Sequence, residues 1–247
     1  MAMVIGGGIT IGTGISLTPV QGITTDNLML HLDAGNTSSY PGTGTTWTDL
    51  ISARTFTLTN GPTNNSGNGG YINFVAASSH YAECTSALPA MTTWTVEAWV
   101  SYVSTTSTNP AIVTDTQGNN KVNYIIGVPD GVTAPRISVG TFATNWRSLT
   151  PGYLPTANTW YQVVGTFNGN THTFNLYING ALNATQTLTA PTAAYGTGGA
   201  GIRLMRRWDS ANYWGGGLGV VRIYNTVLDS TSVYWNYEAQ KTRFGLT

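Results

Sequence analysis

From residue 28 onward, short apolar runs recur between clusters of Gly, Asn, Pro and Thr, at 28–32, 71–74, 94–103, 122–128, 136–142, 160–167, 173–178 and 218–224. Runs of this length bounded by turn residues predict strands, and their number predicts an all-β domain. In one run Trp94, Val96, Ala98 and Val100 alternate with Thr95, Glu97, Trp99 and Ser101, so the period of two sends the two sets to opposite faces. Another places Phe174, Leu176 and Ile178 on one face and Thr173, Asn175 and Tyr177 on the other, the pattern of a sheet with one buried side. Asn168-Gly169 and Asn179-Gly180 predict type I′ turns, since both central residues of such a turn need positive φ, and together they imply a three-strand meander. One helix is expected from Asp229 to about Lys241, with Asp229 or Ser230 capping its first turn and Val233, Tyr234 and Tyr237 on one side. The strand count and the length predict a jelly-roll sandwich of two antiparallel sheets, larger than an immunoglobulin domain.

Residues 1–26 follow another pattern. Val4-Ile5, Ile9, Ile11, Ile15 and Leu17 are set among Gly6-Gly7-Gly8, Gly12, Gly14 and small hydroxyl residues. Ile9-Thr-Ile11 and Ile15-Ser-Leu17 alternate at period two, which favours extended segments. Such residues need burial and cannot form a core by themselves. The division expected is an extended assembly arm at 1–26, adding strands to a neighbouring subunit, and a domain at 27–247. The first residues carry no basic n-region and much glycine, so no signal peptide is expected, and no stretch approaches the ~20 apolar residues of a membrane span.

Charge then narrows the partners. Ten Lys+Arg and ten Asp+Glu give a formal net charge of zero, and charged residues are 8% of the chain, against ~25% in ordinary globular proteins. Two of the cations are lysines, too few for the phosphate neutralisation that nucleic acid requires. A soluble monomer usually blunts its sheet edges with lysine, so edges covered by neighbours are expected. Cys84 is the one cysteine, which excludes an internal disulfide, and His31, His80 and His172 form no metal-type spacing with it.

Several phrases carry a family resemblance: Trp94-Thr-Val-Glu-Ala-Trp-Val100, Trp160-Tyr-Gln-Val-Val-Gly-Thr-Phe167, Leu176-Tyr-Ile-Asn-Gly180 and Gly219-Val-Val-Arg-Ile-Tyr-Asn225, with Leu32-Asp-Ala-Gly-Asn36 at the start. In this order they resemble the laminin-G-like branch of the concanavalin A-like lectin/glucanase superfamily, over residues 28 to about 240. The resemblance implies two curved antiparallel sheets. A glycine- and isoleucine-rich leader ahead of such a domain is similar to those of structural proteins of tailed bacteriophages. That likeness implies a virion surface protein, a capsid decoration or a tail or neck fibre component. It would be made in the host cytoplasm, bind other virion proteins through 1–26 and form a homo-oligomer, a trimer by preference.

Because the superfamily includes glucanases, catalysis is tested on the residues. Retaining glycoside hydrolysis needs two carboxyl groups ~5.5 Å apart, which a strand supplies at i, i+2 or i, i+4. The glucanase motif Glu-x-Asp-x-x-Glu has its first acid at Glu97, but Trp99 and Tyr102 stand at the other two positions, and no two acids of the chain lie within four residues. Glu97 is expected to be structural, bonding backbone or an arginine such as Arg222. Gly196-Thr-Gly-Gly-Ala-Gly201 matches a dinucleotide fingerprint but lacks the following helix and acid. A non-enzymatic protein is therefore expected, with a free bacterial lectin as the alternative and a glycoside hydrolase ranked after it.

Sugar recognition joins aromatic faces to amides, carboxylates and arginines that bond hydroxyls. The densest such cluster is Arg206, Arg207, Trp208 and Asp209 with Tyr213 and Trp214, and Trp146 heads a smaller one. These are the candidate glycan-binding residues, the glycan belonging to the host surface, with Trp99 and Tyr177 adding to a concave face if their strands are close. The resemblance brings calcium as a question, to which Asp33 and Asn36 could contribute oxygens. Gly219-Val220 replaces the acidic pair that commonly stands there in the family, so no cofactor is expected and no metal is assigned.

Overall fold

The computed structural model describes residues 22–105, 109–116, 122–127, 137–142, 146–149, 153–188, 201–207 and 212–247, together with two short strands within residues 1–10. In chain order those two are β1 (Val4–Ile5) and β2 (Ile9–Thr10), followed by β3 (Leu28–Asp33), β4 (Thr46–Thr48), β5 (Thr55–Thr59), β6 (Thr63–Asn65), β7 (Tyr71–Phe74) and β8 (Tyr81–Cys84). Next come β9 (Thr93–Ser101), β10 (Ser104–Thr105), β11 (Ala111–Thr116), β12 (Val122–Gly127), β13 (Ser138–Phe142) and β14 (Trp146–Ser148). The last strands are β15 (Trp160–Asn168), β16 (Thr173–Ile178), β17 (Ala181–Thr187), β18 (Gly201–Leu204) and β19 (Trp214–Tyr224), before helix α1 (Ser230–Glu238) and a 3-10 turn, Lys241–Phe244.

Strands β3 to β19 form two antiparallel sheets, as the alternation predicts, while β1 and β2 pair only with each other among the described residues. The first runs β17-β16-β15-β9-β19-β7-β6, with β3 and β10 also paired to β19; the second runs β14-β13-β12-β11-β18-β8-β5-β4. The core between them takes Trp94, Val96, Ala98 and Val100 from β9 and Phe174, Leu176 and Ile178 from β16, and from the second sheet Phe56, Leu58, Ala82, Ile202 and Leu204.

Two expectations are corrected. Asn179 and Gly180 do have positive φ, 51° and 76°, as a type I′ turn requires. Asn168-Gly169 does not form one: Asn168 ends β15, opposite Thr173, and a longer loop follows. The Asn168 side-chain oxygen accepts the backbone N–H groups of Asn170 and Thr171, an Asx turn that competes with the two-residue hairpin. Gly169 is needed for a different reason, since a Cβ there would meet the carbonyl oxygen of Thr92.

The central strands of the first sheet, β9, β15 and β19, are also buried on both faces, not one. Thr95, Glu97 and Trp99 are inaccessible, because α1 and the C-terminal turn lie over them with Val233, Asn236, Tyr237 and Phe244 inward. Asp229 caps α1 as expected, its Oδ1 accepting the N–H of Ser232 at 2.7 Å.

Candidate functional site

On the covered face of the first sheet, register sets His31 opposite Arg222 and Arg222 opposite Glu97. Glu97 Oε1 accepts hydrogen bonds from Arg222 Nη1 and Gln162 Nε2, both at 3.0 Å, and Oε2 accepts one from Asn236 Nδ2 at 2.8 Å. The Asn236 amide also donates to the Tyr224 hydroxyl and accepts the N–H of Thr24 at 2.8 Å. Gln162 Oε1 in turn accepts the N–H of Gly180. Burial, with Glu97 beside it, pushes the Tyr224 phenol far up. The carboxylate of Glu97 is therefore saturated beneath a helix, the structural role expected of it, with Arg222 as its partner.

Trp99 does not contribute to a concave sugar-binding face. Its ring stacks on Phe244 at 4.5 Å between centroids and on Tyr237 at 5.9 Å, and Tyr177 is buried under Val233 and Leu228. The C-terminal segment takes the place that a ligand would need.

The outer face of the second sheet differs. In β8, Ala82 and Cys84 turn inward, so Tyr81 and Glu83 turn outward. Register aligns Thr57, Glu83, Arg203 and Thr114 across four strands. Glu83 and Arg203 form an ion pair at 3.1 Å whose side chains remain 32% and 24% exposed. Just past β18, Met205 takes φ 62°, a conformation uncommon for a residue with a side chain, and re-aims the chain. Arg206 thereby lies over the Tyr81 ring, its guanidinium carbon 4.6 Å from the centroid, and 5.7 Å from the centroid of Tyr213. The two tyrosine rings are 6.2 Å apart. Arg206 and Tyr213 bridge through backbone, and the Arg207 N–H donates to the Asn212 carbonyl at 2.9 Å.

The structure thus brings Arg206 and Tyr213 together and adds Tyr81, Glu83 and Arg203. Sequence reasoning missed those three, although the alternation of Tyr81-Ala-Glu-Cys84 carries the signal for the first two. Arg207 is buried. Trp208 and Asp209 lie outside the described residues. Trp214 is corrected: it is a core residue with no accessible ring face, its indole N–H donating to the Ser101 carbonyl at 3.3 Å and its ring packed against Tyr102. Trp146 opens β14, the opposite edge of the same sheet, four strands from β18 and so ~19 Å away at the usual strand spacing.

A cavity of about 240 Å³ lies between the 34–42 loop and the turn before β7, lined by Thr37, Tyr40, Asn64 and Ser66 with the backbone of Gly35 and Gly70. Beside it Asp33 is held by Arg243 on both oxygens, at 2.8 and 2.9 Å, and the Asn36 oxygen accepts the N–H of Ser38. These contacts occupy the oxygens that calcium would need. Among the described residues no three His, Cys, Asp or Glu side chains come together as metal ligands, and no helix is long and apolar enough to cross a membrane.

A sandwich of two antiparallel sheets with a short C-terminal helix is the architecture of the lectin and glucanase jelly rolls. Residues 66–234 match the Laminin_G_3 family of the concanavalin A-like lectin/glucanases superfamily, and the chain belongs to that family. No sequence match is found among curated proteins. Among solved structures, domain 4 of the arabinanase AbnA from Geobacillus stearothermophilus, in complex with arabinotriose, aligns with TM-score 0.62 at 16% identity, over 84% of this chain and 97% of that one. The botulinum neurotoxin type G receptor-binding domain aligns with TM-score 0.66 at 14% identity, over 90% of this chain and 54% of that one. Trypanosoma rangeli sialidase aligns with TM-score 0.60 at 12% identity, over 90% of this chain and 34% of that one. The chain therefore spans about half of the neurotoxin domain and a third of the sialidase. At such identities the likeness is one of fold.

Proposed function

We propose that this chain is a non-catalytic glycan-binding protein of a bacteriophage virion surface, held in the particle by its N-terminal arm. The observation that carries the glycan reading is Arg206 laid over the partly exposed Tyr81, with the buried Tyr213 ring 5.7 Å from its guanidinium carbon, beside the partly exposed Glu83–Arg203 pair on the outer face of the second sheet. Planar groups of this kind suit the apolar faces of sugar rings, and the ion pair offers both donors and acceptors to hydroxyls. The non-catalytic reading rests on Glu97, whose two oxygens are taken by Arg222, Gln162 and Asn236 under α1. The virion setting rests on the Gly/Ile-rich residues 1–26 and on a chain with two lysines and no formal net charge.

The test is a glycan array followed by calorimetry on the best oligosaccharide. Tyr81→Ala and Arg206→Ala should each weaken binding tenfold or more while circular dichroism stays that of the wild type. A wild type that binds no glycan, or variants that bind as well as it does, would end the reading. Mass spectrometry of purified phage particles tests the setting, and absence of the chain from them would remove it.

A further inference from the structure

The cavity beside Asp33 takes its walls from three segments: the loop after β3, the strand β6 and the turn before β7. Arg243 holds the first and third together, since its guanidinium engages both oxygens of Asp33 and donates to the carbonyls of Asn68 and Gly70. The loop is also fixed from within. The Tyr40 N–H donates to the Asn36 carbonyl at 2.8 Å, and the Ser39 hydroxyl donates to the Thr48 carbonyl at 2.6 Å. Walls held in this way are shaped before a ligand arrives, which lowers the cost of ordering them on binding.

The lining divides by chemistry. Tyr40 is buried, with its hydroxyl on the Gly44 carbonyl, and with Pro41 and the glycines it supplies apolar surface. Thr37, Asn64 and Ser66 are exposed and polar. Among the described residues none forms a hydrogen bond with these three side chains. The Asn64 amide stands close to Gly42, where an added Cβ would lie 3.3 Å from its nitrogen. No charged side chain lines the cavity, and Asp33 and Arg243 beside it neutralise each other.

This set of groups selects a ligand. An anion is best held by charged donors and a metal cation by carboxylates, neither of which lines these walls. Hydroxyl and amide side chains both donate and accept, so they match a neutral partner whose own groups do both. The tyrosine and proline rings ask that the same partner have apolar C–H faces. A volume of about 240 Å³ falls below the ~300 Å³ at which drug-sized sites begin, and holds one small ring. We propose that this cavity seats a single neutral sugar ring, bonded through Thr37, Asn64 and Ser66 and packed against Tyr40. The site shares no residue with the Arg206 cluster and goes beyond the function proposed for that face.

The experiment is a titration of the full-length, isotope-labelled chain followed by amide NMR, with D-glucose, D-galactose, D-mannose and N-acetyl-D-glucosamine as separate probes. At least one should move the signals of Gly42, Asn64 and Ser66 to saturation. Asn64→Ala should weaken that binding about fivefold or more, the effect of one lost hydrogen bond. Ser66→Trp, which sets a bulky ring at the mouth, should abolish it, and both variants should keep the wild-type circular dichroism. D-glucuronate, a similar ring with a carboxylate, should bind no tighter than D-glucose. Four probes that leave the cavity signals unmoved overturn the site, and so do shifts that survive both substitutions. Glucuronate bound about tenfold more tightly than glucose overturns the neutral ligand. Shifts confined to the surroundings of Tyr81 and Arg206 overturn the cavity site and leave the glycan reading of the second sheet standing, whereas shifts at the cavity alone support the cavity site without that reading.

Discussion

Arg243 grips Asp33 with two parallel hydrogen bonds, Nη1 to Oδ2 at 2.9 Å and Nη2 to Oδ1 at 2.8 Å. The same guanidinium donates to the carbonyls of Gly70 and Asn68, so the C-terminal turn ties the end of β3 to the turn before β7. Between them Gly35 approaches so closely that a Cβ would run into the carbonyl of Gly69, and Gly70 has φ 98°.

This fork sets a first prediction. Lysine cannot reproduce a planar bidentate contact, so Arg243→Lys should lose about 1–3 kcal/mol of unfolding free energy. Gly35→Ala should lose about 2 kcal/mol or more, because the added Cβ would meet the backbone carbonyl of Gly69 and the guanidinium of Arg243, which its own hydrogen bonds hold in place. Urea denaturation measures both, and a Gly35→Ala chain as stable as the wild type would contradict the close packing.

Glu97 leads to the second prediction. Arg222 is inaccessible, and Glu97 is its ion-pair partner at 3.0 Å. Glu97→Gln leaves that cation buried without its counter-charge and turns an amide toward other donors, at a cost of about 3–5 kcal/mol. The variant should melt well below the wild type, and assays of reducing sugar on polysaccharides should detect no release by either chain. A wild type that releases sugar, with a folded Glu97→Gln that does not, would make Glu97 catalytic and defeat the structural account.

Acid should weaken the fold in two stages. His31 is held down to about 4, first by burial and then by the Arg222 charge, against the opposing carboxylates of Asp33, Glu97 and Asp49. Its unfolded counterpart protonates near 6.5, so the unfolded state binds more protons as pH falls from about 6.5 to about 4, and stability drops over that window. Allowing for the part of the ring that solvent screens, the loss is about 2 kcal/mol. Asp33 acts lower down: burial would raise its pKa, but the Arg243 hydrogen bonds and charge outweigh burial and lower it. Its contribution is present above the usual carboxylate range and lost as pH falls through the lowered value. Denaturant midpoints between pH 7 and 4 read the first stage, and His31→Gln should flatten it.

The sandwich was legible because strand alternation is local: each of Trp94, Val96, Ala98 and Val100 declares its face by parity alone. The cover on the other face was not. The pairing of Glu97 with Arg222 was expected, but no pattern shows Gln162 and Asn236 completing it beneath α1, whose Asn236 is as buried as its Val233. Such a network joins residues up to 139 positions apart, and no periodicity encodes it. The candidate site divides the same way. Arg206 and Tyr213 were visible as a local cluster, whereas Glu83 meets Arg203 across 120 residues through the order of strands in a sheet. Asn168-Gly169 misled because one dipeptide serves both a two-residue hairpin and an Asx turn.

Trp214 supplies the last prediction, because its neighbours in sequence suggest a ligand-binding residue and its surroundings do not. It ends the run of charged and aromatic residues at 206–214, but β19 turns its ring into the core, against Tyr102, with the indole N–H on the Ser101 carbonyl. Removing so large a buried side chain costs about 3–5 kcal/mol. Trp214→Ala should therefore lower the urea midpoint strongly, while the fraction that remains folded keeps whatever glycan affinity the wild type has. Tyr81→Ala should do the reverse, since that ring is only partly buried and supports Arg206 from outside the core. Unfolding and binding titrations on the two variants in parallel decide between the roles, and a stable Trp214→Ala chain with no affinity would return Trp214 to the binding site.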